Sequence, residues 1–162
     1  MARYLVTGGA GFIGSHIVEA LVAQGATVRV LDNFSTGTAR NLEPWRDTIE
    51  ILEGDIRDAG AVASAMRDVT YVIHQAALPS VPRSIEDPLT SNAVNIEGTL
   101  NVLWAAKDAG VRRVVYASSS AVYGNVDVSP KHEGLTPAPA SPYAVSKLSA
   151  EQYCGVFHQV YG

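Results

Sequence analysis

The chain has 162 residues, 47% of them hydrophobic and 17% charged, with a formal net charge of −4 at pH 7. That length suits about one domain with a sizeable core, and the mild acidity speaks against nucleic acid or an anionic membrane surface as a partner. A single cysteine, Cys154, rules out an intrachain disulfide and points to a reducing, cytoplasmic setting, and no stretch reads as a signal peptide or a membrane span.

Strand and helix patterns alternate along the chain. Arg3 to Thr7 reads as a first strand. A helix follows, with Ile13, Ile17, Ala20 and Leu21 on one face and Gly25 as its C-terminal cap. Thr27 to Leu31 is a second strand ending at Asp32, and Ile49 to Glu53 a third, closed by Gly54-Asp55. Ala59 to Arg67 reads as a short helix and Val69 to His74 as a fourth strand. Asp87-Pro88 opens a long helix, Asp as N-cap and Pro at the first helical position, running to about Asp108 and stopping at Gly110. Val111 to Ala117 is a fifth strand, and Ser141-Pro142 opens a last helix. Pro79 to Asp87 and Val126 to Ser141 read as loops. Strands separated by helices imply right-handed crossovers, hence an α/β fold: a doubly wound parallel sheet of Rossmann type with helices on both faces, residues 1–162 forming one domain.

Two motifs carry chemistry. Gly8, Gly11 and Gly14 lie in Thr7-Gly8-Gly9-Ala10-Gly11-Phe12-Ile13-Gly14, between the first strand and the first helix. Such glycines allow a tight turn, a close approach of the backbone to a pyrophosphate, and tight helix–strand packing, and the helix N-terminus then faces the phosphates. Asp32, 18 positions past Gly14, can accept from adenosine ribose hydroxyls and would repel a 2′-phosphate, which favours NAD over NADP. Asn33-Phe34-Ser35-Thr36-Gly37 follows with small polar groups; Asp55-Ile56 could frame the adenine, although an ordinary turn explains that pair nearly as well. The second motif is Tyr143-Ala144-Val145-Ser146-Lys147, beyond Ser118-Ser119-Ser120. Tyr143 and Lys147 are i and i+4 on one helix and share a face. A free tyrosine, with a pKa of about 10, is a poor base at neutral pH, and a neighbouring ammonium stabilises its phenolate. His16, His74, His132 and His158 lack the spacing of a metal site, so no metal is expected; His74 reads as a strand-end packing residue, and Trp45 and Trp104 as packing. Arg83 reads as an exposed loop arginine or a substrate contact.

Taken together, Thr7 to Gly14, Asp32-Asn33, Asp55-Ile56, His74-Gln75-Ala76-Ala77, Asn95, Ser118 to Gly124 and Ser141 to Lys147 resemble the extended short-chain dehydrogenase/reductases, and within them the UDP-sugar 4-epimerases. The segment His74 to Ser84 looks most like the epimerases that accept UDP-N-acetylhexosamines. The resemblance implies Tyr143 as catalytic base and acid, Lys147 as its tuner and nicotinamide-ribose ligand, and Ser119 as the catalytic hydroxyl, ahead of Ser118 and Ser120. It also implies NAD held by Gly8, Gly11, Phe12, Ile13, Gly14, Asp32, Asn33, Ser35, Thr36, Gly37, Asp55, Ile56, Gln75, Ala76, Ala77, Asn95, Tyr143 and Lys147. Without the resemblance, Asn95 would read as a solvent-facing polar residue. Related dehydratases and decarboxylases place an acid after the catalytic hydroxyl, where this chain has Ser120-Ala121.

Family members continue into a C-terminal substrate domain, which is expected to be absent here, so the isolated chain is expected to turn over slowly or not at all. The resemblance further implies a UDP-hexose or UDP-N-acetylhexosamine as substrate and a homodimer built through helices 88–108 and 141–161. Two alternatives stand beside the epimerase reading: a non-catalytic dinucleotide-binding fragment, and an NAD-dependent sugar-nucleotide oxidoreductase or dehydratase.

Overall fold

The apolar runs form five strands in the computed structural model of the chain, which describes residues 2–162. These are β1 (Arg3–Thr7), β2 (Thr27–Asp32), β3 (Glu50–Glu53), β4 (Tyr71–His74) and β5 (Arg113–Tyr116). All pair in parallel, in the order β3-β2-β1-β4-β5. They belong to one of two structural units, Met1–Ala77 with Asn101–Ala117. Three strands start later than the sequence suggests, for one physical reason: the first amide of each apolar run closes the preceding helix instead of joining the sheet. Ile49 N–H goes to the Trp45 carbonyl, Val69 N–H to Met66 and Val111 N–H to Ala106.

The inner strands are apolar on both faces, as a covered parallel sheet requires: Leu5 and Val6 on β1, and Val28, Val30 and Leu31 on β2, are buried. Helix α1 (Phe12–Ala23) packs on this core through Gly14, Val18 and Leu21, with Ile17 at its margin. The expected helix face is therefore displaced by one position, and Ile13 and Ala20 are exposed. The glycine explains the shift: Gly14, not Ile13, must face the sheet, because only a residue without a Cβ fits there. A Cβ on Gly14 would overlap the Gly8 carbonyl and lie 2.8 Å from Gly9 Cα. Gly25 N–H to Val22 and Ala26 N–H to Leu21 close the helix end as predicted. A 3₁₀ helix over Ala39–Trp45, not foreseen in the sequence, buries Leu42 in the same core.

Arg29 is the charged residue buried mid-strand in β2. Its Nε donates to Glu50 at 2.7 Å, and Nη1 donates to the carbonyls of Ala65 and Arg67, both at 2.7 Å, at the C-terminal end of α2 (Ala59–Ala65). A cation there satisfies carbonyls that the helix leaves open. Arg29→Met is expected to destabilise the fold by roughly 2–4 kcal/mol, because the buried Ala65 carbonyl and the part-buried Arg67 carbonyl lose their donor. Urea denaturation checks this: the midpoint should fall at constant slope, and an unchanged midpoint would contradict it.

The second unit, Leu78–Leu100 with Ser118–Gly162, is helical. It holds α3 (Val81–Glu86), α4 (Pro88–Asn92), a π-helical segment (Ala93–Gly98), a 3₁₀ turn (Ser120–Tyr123) and α6 (Pro142–Tyr161), which packs against the other four. The expected Pro79–Asp87 loop is thus mostly helix: Ser80 caps α3 through Arg83 N–H, and Pro82 occupies its permissive first turn. The predicted long helix 87–108 forms in three pieces, α4, the π segment and α5 (Thr99–Asp108). Its Asp87 cap is present, accepting from Thr90 N–H at 3.0 Å. Residues 126–141 contain no helix or strand, as expected.

Candidate functional site

In the first unit the chain runs outward from β1 to β2 and β3, then returns to β4 on the other side of β1. Ligands of such sheets bind beyond the carboxyl ends of the strands where this reversal occurs. Gly8–Gly14 follows β1, Asp32–Gly37 follows β2, Asp55-Ile56 follows β3 and Gln75–Ala77 follows β4, so these predicted cofactor residues all lie at the same ends of one sheet. Gly8 has φ +69, and a Cβ on it would meet Ala76 N at 2.7 Å, so the loops after β1 and β4 lie directly against each other.

The N-terminus of α1 has no side-chain cap. Its N-cap, Gly11, offers no side-chain acceptor to the first-turn N–H groups. Helices α2, α3, α4 and α6, by contrast, are capped by the side chains of Asp58, Ser80, Asp87 and Ser141. Phe12 and Ile13, which open α1, are 79% and 62% exposed, which leaves that end accessible. Uncapped N–H groups together with the helix dipole form the usual phosphate cradle.

Asp32 is buried and already employed: one carboxylate oxygen accepts from Ala10 N–H and the other from Phe34 N–H, each at 2.8 Å. A carboxylate has about four lone-pair sites, so capacity for ribose hydroxyls remains. The Ala10 carbonyl is held as well, by Thr38 N–H at 3.1 Å and Asn41 Nδ2 at 2.8 Å. Thr38 and Asn41 escaped the sequence reading; the one signal was their place just past Gly37, in a stretch without helical periodicity. Asp55 is gripped by Arg57, whose Nε and Nη2 donate at 2.9 and 2.7 Å, and by Asn33 Nδ2 at 2.8 Å. The Arg57 side chain above all, then its backbone N–H and Asn33, hold the Asp55 carboxyl well below the usual carboxylate range against the opposing effect of burial. Ser35 and Thr36 are exposed, and Ile56 is buried. His74 is a buried strand-end residue, with Nδ1 2.6 Å from Thr7 Oγ1. Trp45 packs on the core, whereas Trp104 is half-exposed under the Lys107 ammonium, 4.2 Å from its ring.

Asn95, Ser119, Tyr143 and Lys147 belong to the second unit. Tyr143 and Lys147 stand one turn apart on α6, Tyr143 half-buried and Lys147 4% exposed. Burial lowers the Lys147 ammonium to about 8, so it still carries its charge at neutral pH. Ser119 is half-buried and caps the 3₁₀ turn, accepting from Ala121 N–H at 3.2 Å. Its neighbour Ser118 donates to Glu151 at 2.7 Å, and Ser120 is exposed. Asn95 is 1% exposed, which overturns the solvent-facing alternative: Oδ1 accepts from Leu78 N–H at 2.8 Å, and Nδ2 donates to the Leu78 carbonyl at 3.3 Å and to Ser146 Oγ at 3.0 Å. Arg83 lies on α3, exposed. Among the described residues no helix is long and apolar enough to cross a membrane.

Known proteins match this arrangement along nearly the whole chain. A putative UDP-glucose 4-epimerase of Methanocaldococcus jannaschii is 41% identical over 160 residues, covering 98% of this chain and 52% of the relative. A UDP-glucose 4-epimerase of Thermus thermophilus, solved in complex with NAD, is 46% identical with a TM-score of 0.93, covering 99% of this chain and 52% of that one. A dTDP-glucose 4,6-dehydratase of Streptomyces venezuelae, with NAD bound, is 41% identical with a TM-score of 0.93 over the same shares. The chain thus spans about half the length of these relatives. A family model described as the NAD dependent epimerase/dehydratase family matches residues 4–162, and the chain belongs to that family.

Proposed function

We propose that this chain is the NAD-binding and catalytic portion of a nucleotide-sugar 4-epimerase. The observation that carries the reading is the coexistence of a glycine-lined, uncapped helix N-terminus beside Asp32 with a Tyr143–Lys147 pair whose lysine is buried. The α1 N–H groups would hold the pyrophosphate and Asp32 the adenosine ribose. NAD, when bound, supplies a reversible hydride acceptor for sugar C4. Tyr143 would take the proton of the sugar 4-hydroxyl and later return it to the 4-keto oxygen from the same phenol. Lys147 would bind the nicotinamide ribose, and the Ser119 hydroxyl would orient the sugar oxygen.

Epimerisation needs one proton-transfer group, whereas elimination of water needs a second acid/base pair. Ala121, whose N–H is spent on Ser119, offers none, which favours the epimerase over the dehydratase that is equally similar in fold. The substrate is then a UDP-hexose or a UDP-N-acetylhexosamine. Homodimerisation is part of the reading, supported by exposed Leu89 on α4 and Val145, Val156 and Val160 on α6; a monomeric mass at micromolar concentration would remove that part.

Calorimetric titration with NAD is expected to show saturable binding, at least tenfold weaker for NADP and for Asp32→Ala. Supplied with UDP-glucose and NAD, the complete enzyme should form the 4-epimer. Dehydration of the sugar without any 4-epimer would refute the epimerase reading, and the absence of NAD binding by folded protein would refute the cofactor site.

A further inference from the structure

We infer that Ser84 and Ser146 are positioning residues for Tyr143, holding its backbone on both sides, and that Asn95 fixes Ser146; the inference rests on the proton-transfer role given to Tyr143 above. All four residues lie in the second unit.

The first turn of a helix leaves N–H groups without intrahelical acceptors. In α6 the N-cap Ser141 takes Ala144 N–H on Oγ at 3.1 Å and Val145 N–H on its carbonyl at 2.9 Å. Pro142 has no N–H. That leaves Tyr143 N–H, which donates to Ser84 Oγ at 3.0 Å, across 59 residues of sequence. The Ser84 hydroxyl spends its own proton on the Val81 carbonyl at 2.7 Å, so a lone pair is turned toward Tyr143. On the other side, Ser146 Oγ donates to the Tyr143 carbonyl at 2.7 Å and accepts from Asn95 Nδ2 at 3.0 Å. Asn95 is itself held at both ends of its amide by Leu78.

The bonds form one chain, Leu78–Asn95–Ser146–Tyr143–Ser84–Val81. Its three side chains are at most 2% exposed, where a satisfied polar network is rigid. Each serine hydroxyl donates once and accepts once, so neither can rotate without losing a partner. Both peptide groups flanking the Tyr143 Cα are therefore pinned, and the ring keeps only its own torsions. Lys147, one turn on, inherits the same placement. Like α2 and α4, α6 is capped by its own N-cap residue, and the Ser84 hydroxyl adds a bond from another helix. Proton transfer needs close placement, since a displacement of about 1 Å can cost on the order of 100-fold in rate.

The test follows the Tyr143 ring directly. Protein carrying 13Cζ-labelled tyrosine gives one signal per tyrosine, and Tyr143→Phe identifies that of Tyr143. Ser84→Ala and Ser146→Ala are each expected to shift or split this signal and leave the other tyrosines in place, while Ser146→Thr, which keeps the hydroxyl, restores it. Val102→Ala, a buried change in the other unit, should lower the melting temperature without moving the signal. A Tyr143 signal identical to wild type in both alanine variants would overturn the inference. Adding NAD to wild type separates this from the functional reading. A Tyr143 signal that responds to NAD but not to the serine variants sinks the positioning role alone. One that responds to the variants but not to NAD leaves the positioning intact and sinks the cofactor reading.

Discussion

Gly14→Ala is expected to lower NAD affinity on the order of 100-fold, about 2.7 kcal/mol, and to cost about 2 kcal/mol of stability as well. The new methyl would enter the Gly8 carbonyl and lie 2.8 Å from Gly9 Cα, so backbone rather than a flexible side chain must yield. The loop that yields is the one whose Ala10 N–H is fixed by Asp32 and whose Ala10 carbonyl is fixed by Thr38 and Asn41. Strain at Gly14 therefore spreads into the surface proposed to meet the pyrophosphate. Gly155→Ala is the matched control with the opposite sign: a Cβ there has nothing within 4 Å, and the residue sits mid-helix in α6. That change should stabilise by about 0.5–1 kcal/mol and leave NAD binding untouched. Calorimetry and thermal melting of both variants decide the matter. Unchanged affinity in Gly14→Ala would mean that the loop tolerates the methyl and that its shape does not govern cofactor binding.

Lys147→Met is expected to remove a pH dependence of stability that the buried ammonium gives the wild type. The Lys147 ammonium lies at about 8 in the folded chain, against 10.5 for the ordinary group, because burial disfavours its charge. The folded value is the lower one, so between pH 8 and 10.5 the unfolded chain binds the extra proton, and wild-type stability rises with pH across that window. Below it both states are protonated and the full penalty, roughly 3 kcal/mol, applies. The difference in unfolding free energy between wild type and Lys147→Met should therefore climb with pH across this window and be flat below it. A difference that is flat throughout would show that burial does not depress the lysine. The variant should lose that pH dependence together with the cation that stands one turn from Tyr143 on α6.

Much of this was legible in the chain itself. The five strands, the Asp87 cap, the Ser141-Pro142 helix start and the glycine turn followed from local rules, since apolar runs, N-cap chemistry and glycine conformations act within a few residues. The same rules misplaced what depends on competition between neighbours: the starts of β3, β4 and β5, whose first amides close the preceding helices, and the buried face of α1, set by how closely Gly14 must approach the β1 loop. Asp32, Tyr143 and Lys147 were singled out by type and spacing. Asn41, which holds the Ala10 carbonyl, and Ser84 and Ser146, which hold Tyr143, were not, because a serine or asparagine in sequence looks the same whether it faces water or a buried peptide. The sequence by itself determined which groups carry charge, a proton or an open backbone. The tertiary structure decided which of them are buried and to whom they are bonded, because desolvation and hydrogen bonds across 17, 31, 51 and 59 residues exist only once the chain has folded.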